Sequence, residues 1–273
     1  MSEESIPPFS RHKEFQYLKA GRFRWLVHRS ELDDTLRKLL ENPDRHLPDL
    51  WNVPLGERPS TSIAHVSGFF LKRFNRASPT KMLKSVFRIA PSLRAFRMAW
   101  HLEGLGIPTA RALAVTNKRF ARVLLRGYLV TEVLHEAKTL EQWGGNRIQA
   151  ARSVSALVAR LHGAGFVHRD LNSTNVLFNQ FHEPCVVDLD TMRYIRQVPA
   201  HLALDDLARF SRKALLCPKI SRADRARFLK EYCRLRRMPD WRSAWNRIEQ
   251  LNRVEYARLA RKSDRKQQRQ VVR

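Results

Sequence analysis

Three polar side chains lie close together in the sequence and have types that could act together in chemistry: Asp170, Asn175 and Asp188. Residues 175–178 and 185–189 are short apolar runs separated by residues of turn composition, so we predict a β-hairpin. Antiparallel pairing puts the start of the first strand beside the end of the second. Asn175 and Asp188 are therefore expected to project at the same end of the hairpin.

The oxygen atoms of Asn175 and Asp188 would form a hard, open site. An amide oxygen and a carboxylate suit Mg²⁺, which keeps several waters and takes further ligands from nucleotide phosphates. Asp170 lies on the loop before the first strand, where it can accept a proton from an attacking hydroxyl or orient it. The alternative is that Asp170 caps a turn and Asp188 ends an ordinary strand.

The elements that must position these residues change in character along the chain. The first half reads mostly as strands with one helix, and the predicted strands are 63–66, 69–74, 111–116 and 121–134. The second half is mostly helical. Its clearest helix is capped by Asn146 and runs to Leu161 with an apolar stripe of period 3.6. A β-rich half joined near residue 135 to a helical half predicts two lobes.

Two further helices are predicted from cap signals in the first half. Residues 31–41 carry apolar side chains at helical spacing, and Ser30 is the expected N-cap. The second helix starts at about Ser92, which follows Pro91 and is the expected cap, and it ends before Gly104. The rest of residues 1–50 is polar and mixed.

The charge of the chain is strongly positive. Its 273 residues include 51 Lys and Arg against 26 Asp and Glu, a formal charge of +25, and the segment 209–273 holds 21 basic and 6 acidic residues, or +15 of that excess. Such a field attracts nucleic acid, nucleotides or an anionic membrane; a solvated helical face is the alternative.

Cysteine usage and the N-terminus bear on location. Three cysteines without CxxC spacing argue against a disulfide scaffold or a zinc site and suit a reducing cytoplasm. The N-terminal residues lack the features of a signal peptide, and no apolar run approaches the roughly 18 residues of a spanning helix. We expect a soluble or peripheral cytoplasmic protein.

Residues 168–171, His-Arg-Asp-Leu, followed by Asn175, resemble the catalytic loop H-R-D-L-x-x-x-N of protein kinases. Asp188 falls where the metal-binding aspartate of those kinases lies. The resemblance implies an α+β, two-lobed protein-kinase-like fold with a small β-rich N-lobe and a larger helical C-lobe. It also implies that Asp170 is the catalytic base, that Asn175 and Asp188 hold Mg²⁺, that ATP is the phosphoryl donor, and that His168 is structural.

The same resemblance implies a set of nucleotide contacts: Lys72, Glu132, Leu134, Gly56 and Ser60. Lys72 resembles the strand lysine that contacts ATP phosphates, although Arg73 next to it is an alternative. Backbone groups of Glu132 and Leu134 would bond adenine, and the loop with Gly56 and Ser60 would cover the phosphates, although it has one glycine where kinases have three. Kinases also pair the strand lysine with a helix glutamate, and the helix here offers only Glu103, near its end.

Two departures from protein kinases concern the acceptor. Asn172 stands where protein kinases usually have lysine, and about ten residues separate Asp190 from the next predicted helix. That gap leaves no room for a peptide-binding platform, so a small or sugar hydroxyl is the expected acceptor. Between about residues 60 and 235 the chain resembles the bacterial lipopolysaccharide core kinases, which phosphorylate Kdo or heptose. The stretches that carry this resemblance are 94–97, 106–114, 206–210 and 227–232.

These observations lead to one main hypothesis. We predict an N-terminal extension without an assigned role (1–50), an ATP-binding N-lobe (51–134) and a C-lobe with the catalytic loop, metal site and basic tail (135–273). The expected function is ATP- and Mg²⁺-dependent phosphorylation of a Kdo or heptose hydroxyl of a lipid-linked or small sugar, beside an anionic membrane surface and without a nucleic-acid partner. The alternatives are a small atypical protein kinase or aminoglycoside-type kinase, and a non-catalytic basic binding module.

Overall fold

The structure is a computed structural model that describes residues 14–50, 59–75, 89–120, 123–215, 217 and 219–271, with the backbone alone at 213, 215, 262 and 265–271. The chain forms two compact units. The first unit consists of residues 1–136 and 186–192, and the second of residues 137–185 and 193–273. The chain thus leaves the second unit for the seven residues 186–192 and then returns to it.

The described part of the first unit is built on a six-stranded antiparallel sheet of order β1-β2-β5-β6-β4-β3. Its strands are β1 (Phe15–Ala20), β2 (Phe23–His28), β3 (Thr61–Val66), β4 (Phe69–Phe74), β5 (Ala112–Phe120) and β6 (Val123–Glu132), and its helices are α1 (Asp34–Glu41) and α2 (Pro91–Gly104). The predicted strand–turn–strand at 63–74 is confirmed, and the turn residues Ser67 and Gly68 both have positive φ, as a tight hairpin turn requires.

The hairpin β1–β2 was not predicted from the sequence. It belongs to the same sheet, because β2 pairs with β5 through Leu26 and Val27. Gly21 at its turn has a φ of +54°, and a Cβ there would lie 2.1 Å from the carbonyl oxygen of Glu41. Only glycine fits this close approach, so α1 is held directly against the hairpin.

The core of the first unit joins this hairpin to α1. Trp25 is fully buried and its indole N–H donates to the Leu40 carbonyl at 3.1 Å. Tyr128 of β6 packs edge-on against Phe23 in the same cluster. The segment before β3 therefore contributes a large part of the apolar core that supports the sheet.

Both predicted helix caps in this unit are wrong. The α1 cap is Asp33, whose carboxylate accepts the Leu36 N–H at 2.6 Å, while Ser30 lies in a 3₁₀ turn, Arg29–Glu31. The residue before α2 is Ala90, which makes no side-chain cap bond. Pro91 at the first helical position has no N–H to satisfy and its φ suits a helix, so this start needs less capping. Ser92 is buried inside the helix and donates to Asn117 Oδ1 at 2.5 Å.

The second unit is mostly helical. Its strands are β7 (Lys138–Thr139), β8 (Phe166–Val167), β9 (Val176–Phe178), β10 (Pro184–Val186, whose last residue belongs to the first unit) and β11 (Arg193–Tyr194), and its helices are α3 (Arg147–Gly163), α4 (Ala200–Leu215), α5 (Arg222–Leu235) and α6 (Trp241–Val271). The predicted cap of α3 is confirmed, because Asn146 Oδ1 accepts the N–H groups of Ile148 and Gln149 at 2.9 and 3.2 Å. Within the described ranges, no helix has the length and apolar character to cross a membrane.

Helix pairs form the body of this unit, with α3 packed on α5 and α4 on α6. A buried hydrogen bond of 2.7 Å joins His162 Nδ1 of α3 to the Tyr232 hydroxyl of α5. Burial raises the pKa of Tyr232, so the hydroxyl stays protonated.

The predicted catalytic hairpin is partly confirmed. Strand β9 lies within the predicted range, and β10 is its neighbour in a small sheet of order β10-β9-β7. However, β10 ends at Val186 and not at residue 189. Asp188 has a φ of +61°, which a strand cannot accommodate, and Leu189–Thr191 then forms a 3₁₀ turn.

Candidate active site

Lys72 of β4 is the buried cation of the first unit's part of the site. Its Nζ contacts a carboxylate oxygen of Asp188 and lies 3.2 Å from Asp190 Oδ2. The Lys72 side chain is 11% exposed. Because a buried ammonium without partners is costly, the two carboxylates explain how a lysine can occupy this position.

Arg73 lies on the other side of the sheet, because successive residues of a strand face opposite ways. Its guanidinium donates to Asp44 Oδ1 at 2.8 Å, to the Pro48 carbonyl at 2.7 Å and to Asn75 Oδ1 at 2.8 Å. Arg73 therefore supports the fold, and Lys72 is the strand cation that meets Asp188. Hydrogen bonds from Arg73 and Tyr128 outweigh the effect of burial and hold the pKa of Asp44 below its usual value.

Glu103, the one glutamate of α2, lies beside another cation. Its Oε1 is 3.4 Å from Nε of Arg111. The Arg111 N–H also donates to Glu132 Oε1 at 3.0 Å. The carboxylate partners of Lys72 thus come from the segment 186–192 and not from α2.

That segment is held in the first unit by backbone and side-chain bonds. The Val186 N–H donates to the Pro108 carbonyl at 3.0 Å, and the Thr109 hydroxyl donates to the Val186 carbonyl at 2.7 Å. Arg94 of α2 donates to the Asp190 carbonyl at 3.1 Å. Asp188 between these anchors adopts the left-handed region, and for a residue other than glycine such strain persists only where surrounding contacts impose it.

The predicted adenine and phosphate contacts lie in or near this sheet. The Glu132 N–H donates to the Arg111 carbonyl at 3.0 Å, and its side chain also bonds Arg111. No backbone hydrogen bond of the Leu134 N–H is found within the described part of the chain. Ser60 is exposed, and its carbonyl accepts the Asn75 N–H at 2.9 Å, whereas Gly56 lies outside the described residues.

The second unit carries the predicted catalytic loop. The carboxylate of Asp170 is exposed, while its backbone carbonyl accepts Nδ2 of Asn172 at 3.0 Å and Nδ2 of Asn175 at 2.9 Å. Asn175 is 8% exposed. Because its NH₂ group is used by Asp170, the other end of its amide is the oxygen, which is the atom that a hard cation binds.

Asn172 shapes the loop from within. Its Oδ1 accepts the Thr174 N–H at 2.9 Å and the Thr174 hydroxyl at 2.5 Å. Ser173 between them is fully buried and donates to Glu141 Oε1 at 2.8 Å. The position where protein kinases usually have a lysine is here a residue that fixes a turn.

Asp206 of α4 anchors the start of the loop. Its carboxylate is completely buried and accepts the N–H groups of His168 at 2.6 Å and Arg169 at 2.8 Å. Arg169 has a φ of +67°, so this bond stabilises a strained backbone directly before Asp170. Burial acts to raise the pKa of Asp206, but His162, whose Nε2 lies 3.5 Å from Oδ2, and the bonds from the two amides outweigh it and lower that pKa.

Sequence reasoning did not assign Asp206 a role, and it left His168 as a structural residue. His168 is fully buried. A signal for Asp206 did exist, since it stands on the apolar stripe of α4, three residues after Ala203 and four before Phe210, both of which are buried. A carboxylate on a buried helix face must have partners.

The side chains present fit a magnesium–nucleotide ligand. Asp188 is 36% exposed, so its carboxylate can reach a ligand while it contacts Lys72. Asn175 offers an anchored amide oxygen. Carboxylate and amide oxygens are the donors that Mg²⁺ prefers, and a lysine ammonium is a common phosphate contact.

Comparisons with known proteins identify the family of this chain. Residues 66–232 match the model of the lipopolysaccharide kinase (Kdo/WaaP) family. None of the curated proteins that were compared matches the sequence.

Among solved structures, WaaP in complex with acyl carrier protein is similar at a TM-score of 0.55 and 20% identity, over 82% of this chain and 98% of that one. Two structures of WbdD, one described as a bifunctional kinase-methyltransferase, have TM-scores of 0.47 and 0.48 at 15% identity, over 71% and 74% of this chain and 48% and 49% of theirs. The likeness to WaaP confirms the predicted two-lobed, kinase-like fold. With more than half of its length matched by the family model, the chain belongs to the lipopolysaccharide kinase (Kdo/WaaP) family and is a kinase.

Proposed function

We propose that this protein transfers the γ-phosphoryl group of ATP to a hydroxyl of Kdo or heptose in the inner core of lipopolysaccharide. The observation that carries the proposal is the loop before β9. It presents an exposed Asp170 carboxylate on a backbone fixed by Asp206, Asn172 and Asn175. Membership of a lipopolysaccharide kinase family supports a sugar acceptor.

Each residue has a role that follows from its surroundings. Asp170 accepts the proton of the sugar hydroxyl, for which an exposed carboxylate on a rigid loop is suited. Lys72 binds the phosphates as a fixed positive charge. Asn175 and Asp188 would hold Mg²⁺, which neutralises negative charge on the phosphates when it is bound.

The nucleotide needs further contacts from the first unit. Backbone groups of Glu132 and Leu134 at the end of β6 would bond adenine, and the loop with Gly56 and Ser60 would lie over the phosphates. The Val133 N–H donates to the Gly68 carbonyl at 3.2 Å, which holds the chain after β6 in an extended path. Backbone donors and acceptors beyond a strand end suit a planar base.

The segment after Asp190 supports a small acceptor. Arg193 and Tyr194 pair with Val167 and Phe166, and the Ile195 N–H donates to the Gly165 carbonyl at 2.6 Å. Helix α4 begins at Ala200. The connection is thus short, and three of its residues are bonded to residues 165–167, so no long segment is left to bind a peptide.

The test of this function uses lipopolysaccharide as the acceptor. Core oligosaccharide from cells with and without the gene is compared by mass spectrometry, and we expect one additional phosphate on Kdo or heptose when the gene is present. Purified protein should transfer labelled phosphate from ATP to the unphosphorylated material. Asp170→Ala and Asp188→Ala should abolish transfer while circular dichroism shows an intact fold; full activity of either variant contradicts the assigned roles.

The same assay distinguishes the alternatives. Phosphate in a protein or an aminoglycoside, with none in lipopolysaccharide, would favour the small atypical or aminoglycoside-type kinase. Absence of transfer together with absence of a Mg-ATP-induced rise in melting temperature would favour a non-catalytic basic module.

We further propose that the second unit docks on an anionic membrane surface, beside its lipid-linked substrate. The residues of a tryptophan–cation face support this: Trp241 and Trp245 of α6, with Arg222, Lys230 and Arg242. Lys230 and Arg242 lie 4.6 and 5.1 Å from the Trp241 ring, and Arg222 lies 5.8 Å from the Trp245 ring. Arg225 also lies near the Trp245 ring, but its side chain is 17% exposed and 3.9 Å from Glu249, so it is not part of this face. Tryptophan prefers the headgroup region of a bilayer, and each cation near an anionic surface contributes about 1 kcal/mol.

Other basic residues of the second unit have nearby carboxylates. Arg234 pairs with Glu231 at 2.6 Å and Arg258 with Glu255 at 2.7 Å, each one helical turn apart. These pairs reduce the local positive charge. The tryptophan–cation face is therefore a stronger candidate than the distal part of α6.

Vesicle binding tests this face. The wild type should sediment with phosphatidylglycerol vesicles and be released by salt. Trp241→Ala with Arg222→Gln should weaken binding about tenfold, since one cation at about 1 kcal/mol and an aromatic anchor together exceed 1.4 kcal/mol. Tyr17→Ala, which removes the ring that Arg24 covers at 4.4 Å in the first unit, is the matched control and should bind normally. Equal binding by all three proteins would contradict the assignment of this face.

A further inference from the structure

Lys72 contacts two carboxylates, and one of them has another role in the proposed function. Asp188 is expected to hold Mg²⁺, and its side chain is 36% exposed. Asp190 is only 17% exposed, and its Oδ2 lies 3.2 Å from Lys72 Nζ. When Asp188 binds Mg²⁺, part of its negative charge is neutralised by the metal. Asp188 then attracts the Lys72 ammonium less strongly than Asp190 does.

In protein kinases, a glutamate on the helix of the N-lobe is the permanent partner of the strand lysine. Helix α2 has no glutamate at the corresponding position. Its single glutamate, Glu103, lies beside Arg111. In the turn of α2 that reaches the segment 186–192, the contacting residue is a cation, Arg94, which donates to the Asp190 carbonyl at 3.1 Å.

The backbone around Asp190 fixes the direction of its side chain. Leu189–Thr191 is a 3₁₀ turn closed by the Met192 N–H on the Leu189 carbonyl at 3.1 Å. Leu189, the first residue of the turn, and Met192, the residue after it, are both buried. Arg94 adds a bond from the helix to the same turn, so helix and turn together determine where the carboxylate stands.

We propose that Asp190 is the positioning residue for Lys72 and that helix and turn have exchanged charges relative to the kinase arrangement. The turn supplies the carboxylate that orients the lysine, and α2 supplies the cation that holds the turn. Asp190 thereby keeps the Lys72 ammonium directed toward the phosphates when Asp188 is engaged elsewhere. This inference rests on the proposed function.

Steady-state kinetics of Asp190→Asn test the role. The isosteric change removes the charge alone, so kcat/KM for ATP should fall about 10- to 100-fold, the factor for one charge-assisted hydrogen bond. The Mg²⁺ concentration for half-maximal rate should stay at the wild-type value, whereas Asp188→Asn should raise it. Asp190→Glu restores the charge and should recover part of the lost rate. Asp34→Asn, at the exposed start of α1, is the charge-matched control and should match the wild type.

A second measurement needs neither acceptor nor metal. Melting temperatures of Lys72→Met, Asp190→Asn and the double variant, without nucleotide and Mg²⁺, form a double-mutant cycle. We expect the double variant to lose clearly less than the sum of the two single losses, because either change alone breaks the same contact.

The outcomes separate the inference from the function on which it rests. An additive cycle, or a wild-type kcat/KM for Asp190→Asn, overturns the role of Asp190 even if lipopolysaccharide is phosphorylated. A raised Mg²⁺ requirement for Asp190→Asn would make Asp190 a metal ligand and overturn it as well. If instead the wild type phosphorylates no lipopolysaccharide, the proposed function fails, and the cycle still reports on the Lys72–Asp190 pair.

Discussion

The two units hold their candidate functional residues by different kinds of interaction. In the first unit, charged side chains meet charged side chains: Lys72 contacts Asp188 and Asp190. In the second unit, a buried carboxylate also binds main-chain amides, since Asp206 accepts the N–H groups of His168 and Arg169 in addition to its ion pair with Arg209 at 3.2 Å. The first arrangement fixes side chains, and the second fixes a backbone.

The different surroundings of Lys72 and Asp170 follow from the roles proposed for these two residues. A group that binds phosphate must remain charged in a partly buried place, and nearby countercharges make this possible at low desolvation cost. A base must reach a substrate proton, so its carboxylate has to be open, and only the backbone beneath it can be tied down. Asp170 has this form, with an exposed side chain on a held loop.

The largest effect is expected for Asp170, the proposed base. Asp170→Asn keeps the shape of the side chain and removes its ability to accept a proton, so kcat should fall about 10²- to 10⁴-fold. The melting temperature should stay at the wild-type value, because the carboxylate is exposed. Transfer kinetics and a thermal melt on the same sample check both points. A large drop in melting temperature would contradict the view that the Asp170 carboxylate is open and that only its backbone is held.

Loss of the buried anchor should affect stability as well as rate. Asp206→Ala leaves two loop amides without their acceptor and removes the ion pair with Arg209, so the free energy of unfolding should fall by about 3–5 kcal/mol. Urea denaturation measures the change. Asp205→Ala alters the neighbouring, less buried carboxylate of α4 and should have a small effect; equal losses in the two variants would show that Asp206 has no special part.

The stabilisation by Asp206 should depend on pH in a defined direction. Its pKa in the folded protein lies below the ordinary value of 3.8, so the unfolded chain binds the proton more readily. The contribution is therefore complete above about pH 4 and is lost as the pH falls through the lower, folded pKa. Unfolding free energies of wild type and Asp206→Asn should differ by a constant amount from neutral pH to about pH 4 and converge in stronger acid. A difference that grows in acid would be the contrary result.

The smallest effect is expected within the loop. Asn172→Ala removes three hydrogen bonds at a partly exposed site, and stability should fall by about 1 kcal/mol with a few-fold loss in kcat. Asn146→Ala is the matched control, because loss of that helix cap costs about the same stability far from the loop along the chain. If both variants lose the same fraction of kcat, the loop bonds of Asn172 do not position Asp170.

Local patterns predicted local structure well where one signal had no competitor. The β3–β4 hairpin and the Asn146 cap of α3 are of this kind. Two predicted caps were wrong for different reasons: a competing acceptor, Asp33, caps α1 in place of Ser30, and the start with Pro91 uses no side-chain cap. The β1–β2 hairpin was missed although Phe23, Trp25 and Val27 alternate as a half-buried strand should, because the basic residues at 22, 24 and 29 give this stretch a polar composition.

Sequence alone determined the kinase-like character of this protein, because the spacing from His168 through Asn175 to Asp188 lies within one short stretch of chain. Only the tertiary structure decided that Lys72 is the cation that contacts Asp188 and Asp190. It also decided that Asp206 holds the loop before Asp170. Lys72 and Asp188 are 116 residues apart, and His168 and Asp206 are 38 apart. Such pairs are brought together by sheet pairing and helix packing, so no local pattern encodes them, and the choice of Lys72 over Arg73 depends on which face of β4 each side chain occupies.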